Sequence, residues 1–127
     1  MHSEMVQLLG EFLGTFILIL LGNGVVSGVV LNKTKATGAG WVAITLGWGF
    51  AVMMGVYISG FMSPAHLNPA VTIAMAMIGS FSWSLVIPYI IAQMLGAMVA
   101  SIILYLMFYP HYAETKNPAA ILGTFST

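Results

Sequence analysis

Three stretches of this sequence are long, apolar and nearly free of charge, and they leave one environment open to most of the chain. Residues 5–31 (MVQLLGEFLGTFILILLGNGVVSGVVL) hold a single charged side chain, Glu11, while residues 39–62 (AGWVAITLGWGFAVMMGVYISGFM) and 83–109 (WSLVIPYIIAQMLGAMVASIILYLMFY) hold none. A helix needs roughly 20 residues to cross about 30 Å of hydrocarbon. Each stretch therefore predicts a membrane span. A soluble globule is excluded by surface chemistry, because 60% of the residues are hydrophobic and only 5% are charged, too few to clothe it.

The charged residues are Glu4, Glu11, Lys33, Lys35, Glu114 and Lys116, with neither Arg nor Asp. Phosphate clamps and nucleic-acid footprints have nothing to be built from. Whatever the chain handles is expected to be uncharged. The absence of Cys removes disulfide and thiolate chemistry and leaves the redox compartment unspecified. The N-terminus lacks the basic region of a secretory signal, carries Glu4 and Glu11, and is read as retained.

Small residues recur four apart within the spans: Gly10 and Gly14, Gly24 and Gly28, Gly47, Ala51 and Gly55, then Ala92, Gly96 and Ala100. Between helices in lipid there is no hydrophobic driving force, so close backbone approach at small residues has to supply the packing. The pattern predicts a compact bundle. Trp41, Trp83, Tyr105, Tyr109 and Tyr112 lie near segment ends, where aromatic anchors of the membrane interface are expected.

Between the second and third spans lies SPAHLNPAVT, residues 63–72. Proline drives the residue before it out of the helical region, so Pro64 and Pro69 predict an extended path over residues 63–68. Pro69 then suits the first position of a helix, and Asn68 before it is a favoured cap. The helix that follows, residues 69–79, would be only about 16 Å long. It reaches halfway across. A helix end at membrane depth is tolerated only beside protein or a water-filled cavity, so the stub argues for a cavity. A capping asparagine spends its side-chain oxygen and keeps its NH2. Near the midplane, that NH2 and the carbonyls of residues 64–67 would offer polar contacts to a neutral solute, while the helix N-terminus disfavours cations.

The residues at this point carry a resemblance. AHLNPAVT is similar to the first signature box of the aquaporin and glycerol facilitator family. GEFLGTFILILLG resembles the family's first-helix pattern, WGFAVMMGVYISG its second helix, VIPYIIAQMLGA the start of its third, and the terminal GTFST a loop of glycerol facilitators. The resemblance implies an all-α membrane protein: three transmembrane helices plus one re-entrant half-helix, one inverted repeat of an aquaporin-like fold. It covers nearly the whole chain but only one of the family's two repeats. A second repeat, with its own box and a constriction arginine, is expected to complete the pore, and residues 110–127 are expected to form an extramembrane loop.

By the resemblance, Asn68, Pro69 and Ala70 form the asparagine-proline-alanine box, and Asn68 is the central pore donor. Pro64, Ala65, His66 and Leu67 would line one pore wall through their carbonyls. Pro64 departs from the commoner facilitator pattern, where a glycine is more usual. Trp48 stands seven residues inside Trp41, about 10 Å deeper, too deep for the interfacial belt. The resemblance makes it the tryptophan of the selectivity constriction, with Val52 one turn on; the competing reading is a lipid-facing or helix-packing tryptophan. Glu11 is an ionisable group inside a span, costly at roughly 3 kcal/mol or more unless satisfied, with Gln7 and Thr15 at four-residue spacing. The resemblance makes Glu11 a brace for the re-entrant segment.

Asn117, Pro118 and Ala119 repeat the tripeptide, but Lys116 and Glu114 adjoin it and no arginine follows, so it is read as lying outside the membrane. All three lysines fall in loops on one side, which the positive-inside rule would make cytoplasmic. The resemblance implies the reverse, a cytoplasmic N-terminus in the cell membrane, and that is the orientation expected.

The expected function is passive conduction of glycerol and similar small neutral solutes, with water also passing; the family also implies a homotetramer. A water-selective channel and a non-conducting helix-bundle subunit are the alternatives. An enzyme is not expected. It would want a nucleophile with its base, or a carboxylate or metal cluster at membrane depth, and the lone Glu11 with scattered His2, His66 and His111 supplies none. No cofactor or metal is expected.

Overall fold

The structure is a computed structural model describing residues 2–126. Among these residues, three helices are long and apolar enough to cross a membrane. The first, α1, runs over Glu4–Val30, capped by Ser3. The second, α2, covers Trp41–Ser59. The third begins with a single 3-10 turn, Trp83–Leu85, that continues into α4, Val86–Met107. The short α3, Pro69–Met77, lies between them in sequence and packs against α4. At about 1.5 Å per residue, its nine residues span about 14 Å.

The spans are apolar all round, so hydrophobicity alone does not choose which face turns inward. Size and polarity do. On α1 the buried residues include Gly10, Glu11, Gly14, Thr15, Gly22, Asn23 and Ser27, while Leu9 and Leu21 are exposed. The same inversion holds on α2, where Ala51, Gly55 and Ser59 are buried and Phe50, Met54 and Tyr57 are exposed. This is the packing of helices whose outer surface is solvated by lipid.

α1 sits between α2 and α4 and touches both. At Gly55 of α2 a Cβ would lie 2.9 Å from the Gly14 carbonyl oxygen, and at Gly96 of α4 it would lie 2.4 Å from the Phe12 carbonyl oxygen. Those two glycines set the closest helix approaches. Gly24 and Gly28, flagged by the same spacing, have their nearest neighbours at 3.5 and 3.8 Å. They make no close crossing.

Element limits differ from the sequence expectation for local reasons. α2 begins at Trp41 and not at residue 39, because Gly40 has φ 86° and cannot continue a helix backwards. α3 stops at Met77, short of residue 79. Gly79 takes φ 78°, its N–H donates to the Ala76 carbonyl and the Ser80 N–H to the Met75 carbonyl. Those paired bonds are the left-handed closure of a helix end.

The segment expected to be a loop over residues 110–127 instead contains two short helices, α5 (Tyr109–Glu114) and α6 (Pro118–Gly123). Pro110 stands in the first turn of α5, and Asn117 with Pro118 starts α6, so each helix has a sequence-coded beginning. Buried Tyr112 bonds the Thr124 hydroxyl at 2.6 Å and holds the pair together.

α5 also closes against the turn after α1. Asn32 N–H donates to Thr115 Oγ1 at 2.9 Å, the Asn32 side-chain amide donates to the Glu114 carbonyl at 3.1 Å, and Lys33 pairs with Glu114 at 2.7 Å. The two loops therefore lie at one end of the bundle.

Candidate functional site

The break between α2 and α3 is a polar interruption that the bundle folds around. Its backbone is not uniformly extended, which corrects the expectation for residues 63–68. Ala65 and Leu67 take positive φ, 54° and 53°, and only then does Asn68 extend at φ −158°. Left-handed backbone at non-glycine residues is disfavoured and persists only where its surroundings over-determine it. Here they do. Ala65 N–H donates to Ser63 Oγ at 3.0 Å, His66 N–H to Glu11 Oε1 at 2.9 Å and Leu67 N–H to Glu11 Oε2 at 2.8 Å.

Glu11 itself is fully buried. It also accepts from Ser63 Oγ at 2.7 Å and from Gln93 Nε2 at 2.8 Å, so four donors converge on its two oxygens. Burying a carboxylate is tolerable only with such partners.

With three consecutive N–H groups turned toward Ser63 and Glu11, the carbonyls of residues 64–67 receive no donor from the described residues. The Leu67 side chain points the other way. It is buried, and Cβ atoms added at Gly14 and Gly55 would meet its Cδ atoms at 2.4 and 3.0 Å. Leu67 thus pegs the segment between α1 and α2, a contact its expected place on a pore wall did not foresee.

Asn68 caps α3: its Oδ1 accepts from Ala70 N–H at 2.8 Å, and Pro69 opens the first turn. Its Nδ2 donates to none of the described residues, and the side chain is exposed along with Ala70 and Pro64. Asn117 repeats the cap, accepting from Ala119 N–H at 3.0 Å, but α6 has six residues and no described carboxylate braces it. The tripeptide supplies the cap wherever it occurs; only the first copy has Glu11 behind it.

His66 is buried, its ring edge-on to Phe81 at 4.8 Å and tilted against Tyr89 at 5.6 Å. A cavity of about 480 Å³ opens beside this segment, lined in part by Gln7, Phe61, Ser63, Pro64 and Phe81. Trp48 lies elsewhere. It packs over Gly22, where a Cβ would meet the ring at 2.3 Å, about 16 Å along α1 from Glu11. Its Nε1 is buried with no partner among the described residues, and Val52, on the same face, is exposed. Trp48 therefore packs between helices.

Two residues that sequence reasoning did not single out complete the site. Thr72 of α3 and Gln93 of α4 are both buried and bonded to each other, Gln93 Nε2 to Thr72 Oγ1 at 3.0 Å. Gln93 is the only amide side chain in a charge-free span, a signal that intramembrane polar residues carry on their own.

Comparison with known proteins agrees with this geometry. The family profile described as "Major intrinsic protein" matches residues 2–125. Glycerol uptake facilitator protein 3 of Lactiplantibacillus plantarum is 66% identical over 95% of this chain and 50% of its own length. The glycerol uptake facilitator protein of Streptococcus pneumoniae is 60% identical over 95% of this chain and 52% of its own. The X-ray structure of the aquaglyceroporin from Plasmodium falciparum superposes with a TM-score of 0.83 at 37% identity, over 91% of this chain and 47% of that one. The chain spans about half the length of the curated relatives it matches. The three spans, the half-helix turned back beside them and the match over nearly every residue agree: this integral membrane protein belongs to the major intrinsic protein family and has the fold of half an aquaporin.

Proposed function

We propose that the chain forms one half of a passive transmembrane channel for glycerol and other small neutral solutes, with water also passing. One observation carries the reading. The asparagine that starts the half-length helix keeps its NH2 uncommitted, while Glu11 takes the N–H groups of the adjoining backbone and leaves its carbonyls without donors. A solute hydroxyl gives one proton and accepts others. A carbonyl row ending at an amide NH2 can therefore exchange hydrogen bonds with it step by step, replacing its water shell.

Trp48 and Val52 supply an apolar face for the carbon backbone of such a solute, at a second station along the passage. The N-terminus of α3 opposes cations. The names of the relatives, which refer to glycerol uptake, support the choice of solute. In this reading a second, inverted repeat closes the lumen, the N-terminus is cytoplasmic, the membrane is that of the cell, and the complete channels associate as tetramers.

The test separates capping from donation. Asp caps a helix as well as Asn but has no NH2. Residues 2–126, joined to the second half of the Lactiplantibacillus relative and reconstituted in vesicles, are expected to equilibrate glycerol rapidly. Asn68→Asp should abolish that flux while leaving the amount of folded channel unchanged. Equal flux in the two channels would remove Asn68 from the pathway.

A further inference from the structure

Gln93 sits in α4 with 1% of its surface exposed. Its amide nitrogen has two protons, and both are spent: one on Glu11 Oε2 at 2.8 Å, the other on Thr72 Oγ1 at 3.0 Å. The Thr72 hydroxyl, fully buried, thus accepts from Gln93 and has one proton of its own to give. Two groups stand within reach of it, the Asn68 carbonyl at 3.1 Å and His66 Nδ1 at 3.2 Å.

Only one assignment uses every contact. The hydroxyl donates to the Asn68 carbonyl, and His66 carries a proton on Nδ1 and donates to Thr72. The reverse direction leaves the Thr72 and Asn68 oxygens 3.1 Å apart with no proton between them. The other end of Gln93 sharpens the point. Its Oε1 is buried with no donor among the described residues, a cost that an apolar side chain of similar length avoids. Packing alone does not call for glutamine here; the nitrogen does.

We propose that Gln93 is a positioning residue for Asn68: its amide anchors the Thr72 hydroxyl, whose proton goes to the Asn68 carbonyl and whose second lone pair faces Nδ1–H of His66, and so ties the cap residue's carbonyl to α1 and α4. The consequence for flux rests on the channel reading of Asn68; the proton assignment does not. Asn68 has an extended backbone at φ −158°, so its side-chain direction depends on how firmly its carbonyl is held. The Thr72 N–H supplies one bond to that carbonyl and the Thr72 hydroxyl the other.

Nitrogen NMR of the His66 imidazole, in the chain itself, reads the assignment directly. Nδ1 should carry the proton in the parent and share it with Nε2 in Thr72→Val, which removes the oxygen that Nδ1 donates to; Gln93→Met keeps the volume of the glutamine and loses only its amide. In the completed channel, Gln93→Met and Thr72→Val should each lower glycerol flux per folded channel several-fold and shift its ratio to water flux. The double variant should be no worse than the worse single, because both break one line of bonds. Thr72→Ser, which keeps the hydroxyl, should restore both readouts. A parent with its proton on Nε2 or an unmoved tautomer in Thr72→Val would overturn the proton assignment, and unchanged flux in Gln93→Met or additive losses in the double variant would overturn the positioning. A tautomer that responds as stated in a completed channel that conducts nothing would instead overturn the channel reading and leave the proton assignment intact.

Discussion

The backbone N–H of Leu67 meets the carboxylate of Glu11 at 2.8 Å, across a sequence separation of 56 residues. That bond and its neighbour from His66 convert a charge that lipid would reject into the template for a backbone shape the segment would not choose alone. Each feature explains the other. A carboxylate at this depth needs donors, and left-handed Ala65 and Leu67 need something that holds their N–H groups in line.

Glu11→Gln tests that mutual support. The amide fills the same space but offers one acceptor oxygen and turns its NH2 toward two of the four donors. Losing hydrogen bonds to a charged acceptor and leaving buried donors unpaired should cost about 3 kcal/mol. Unfolding in detergent micelles, followed by tryptophan fluorescence, measures it. A change under about 0.5 kcal/mol, the scatter of an ordinary surface substitution, would show that the segment holds its shape without the carboxylate.

Glycines of similar sequence spacing should part company when replaced. Gly96→Ala drives a methyl to 2.4 Å from the Phe12 carbonyl oxygen and 3.1 Å from the Phe16 nitrogen. Backbone cannot step aside as a side chain can, and overpacking of this kind costs about 1–3 kcal/mol. Gly24→Ala meets only Leu104 Cδ2 at 3.5 Å, an ordinary contact, and replaces the poorest helix former short of proline. It should be neutral or stabilising by up to about 1 kcal/mol. The same unfolding assay compares them, and equal losses would mean that close approach is not what distinguishes the two sites.

This contrast also marks what the sequence could and could not disclose. The spans are legible because hydropathy is a property of each segment by itself, and the start of α3 is legible because Asn68 and Pro69 encode it locally. Spacing flagged Gly24 and Gly96 alike, since which face of an apolar helix meets a neighbour is decided by the neighbour. The positive φ of Ala65 and Leu67 was hidden for the same reason: its cause, Glu11, is more than 50 residues away. Gln93 and Thr72 showed only residue type. Their bond joins α3 to α4 and exists only in three dimensions.

Acid should loosen the end of the bundle where α5 meets the turn after α1. The hydrogen bond from Lys33, and then its charge, hold the Glu114 carboxyl below its ordinary value of 4.5. A carboxyl depressed on folding adds stability that is present above the unfolded value and disappears as pH falls through the folded one. The pair is exposed, so the effect is small and screened by salt. Lys33→Met should therefore lower the unfolding temperature slightly at neutral pH, and the gap from the parent should close below about pH 4.5 or in molar salt. A gap that persists in acid would place the effect in the uncharged Asn32 contacts with Thr115 and Glu114.

Gly22 offers a way to move Trp48 without touching it. A methyl at residue 22 would stand 2.3 Å from Cε3 and Cζ3 of the indole and 2.6 Å from Cη2, so the ring must swing off α1. If Trp48 only fills space between helices, Gly22→Ala costs stability, on the order of 1–3 kcal/mol, and the surviving channels conduct as before. If the ring also borders the passage, its displacement narrows or tilts the apolar face that a glycerol carbon backbone would slide along. Water, with no carbon backbone, should feel this less. The expected result in the completed channel is a fall in the ratio of glycerol to water permeability of about ten-fold, equivalent to about 1.4 kcal/mol on the barrier, with water flux per folded channel little changed. Measuring both solutes on one vesicle preparation cancels differences in channel number. An unchanged ratio alongside reduced stability would assign Trp48 to packing alone.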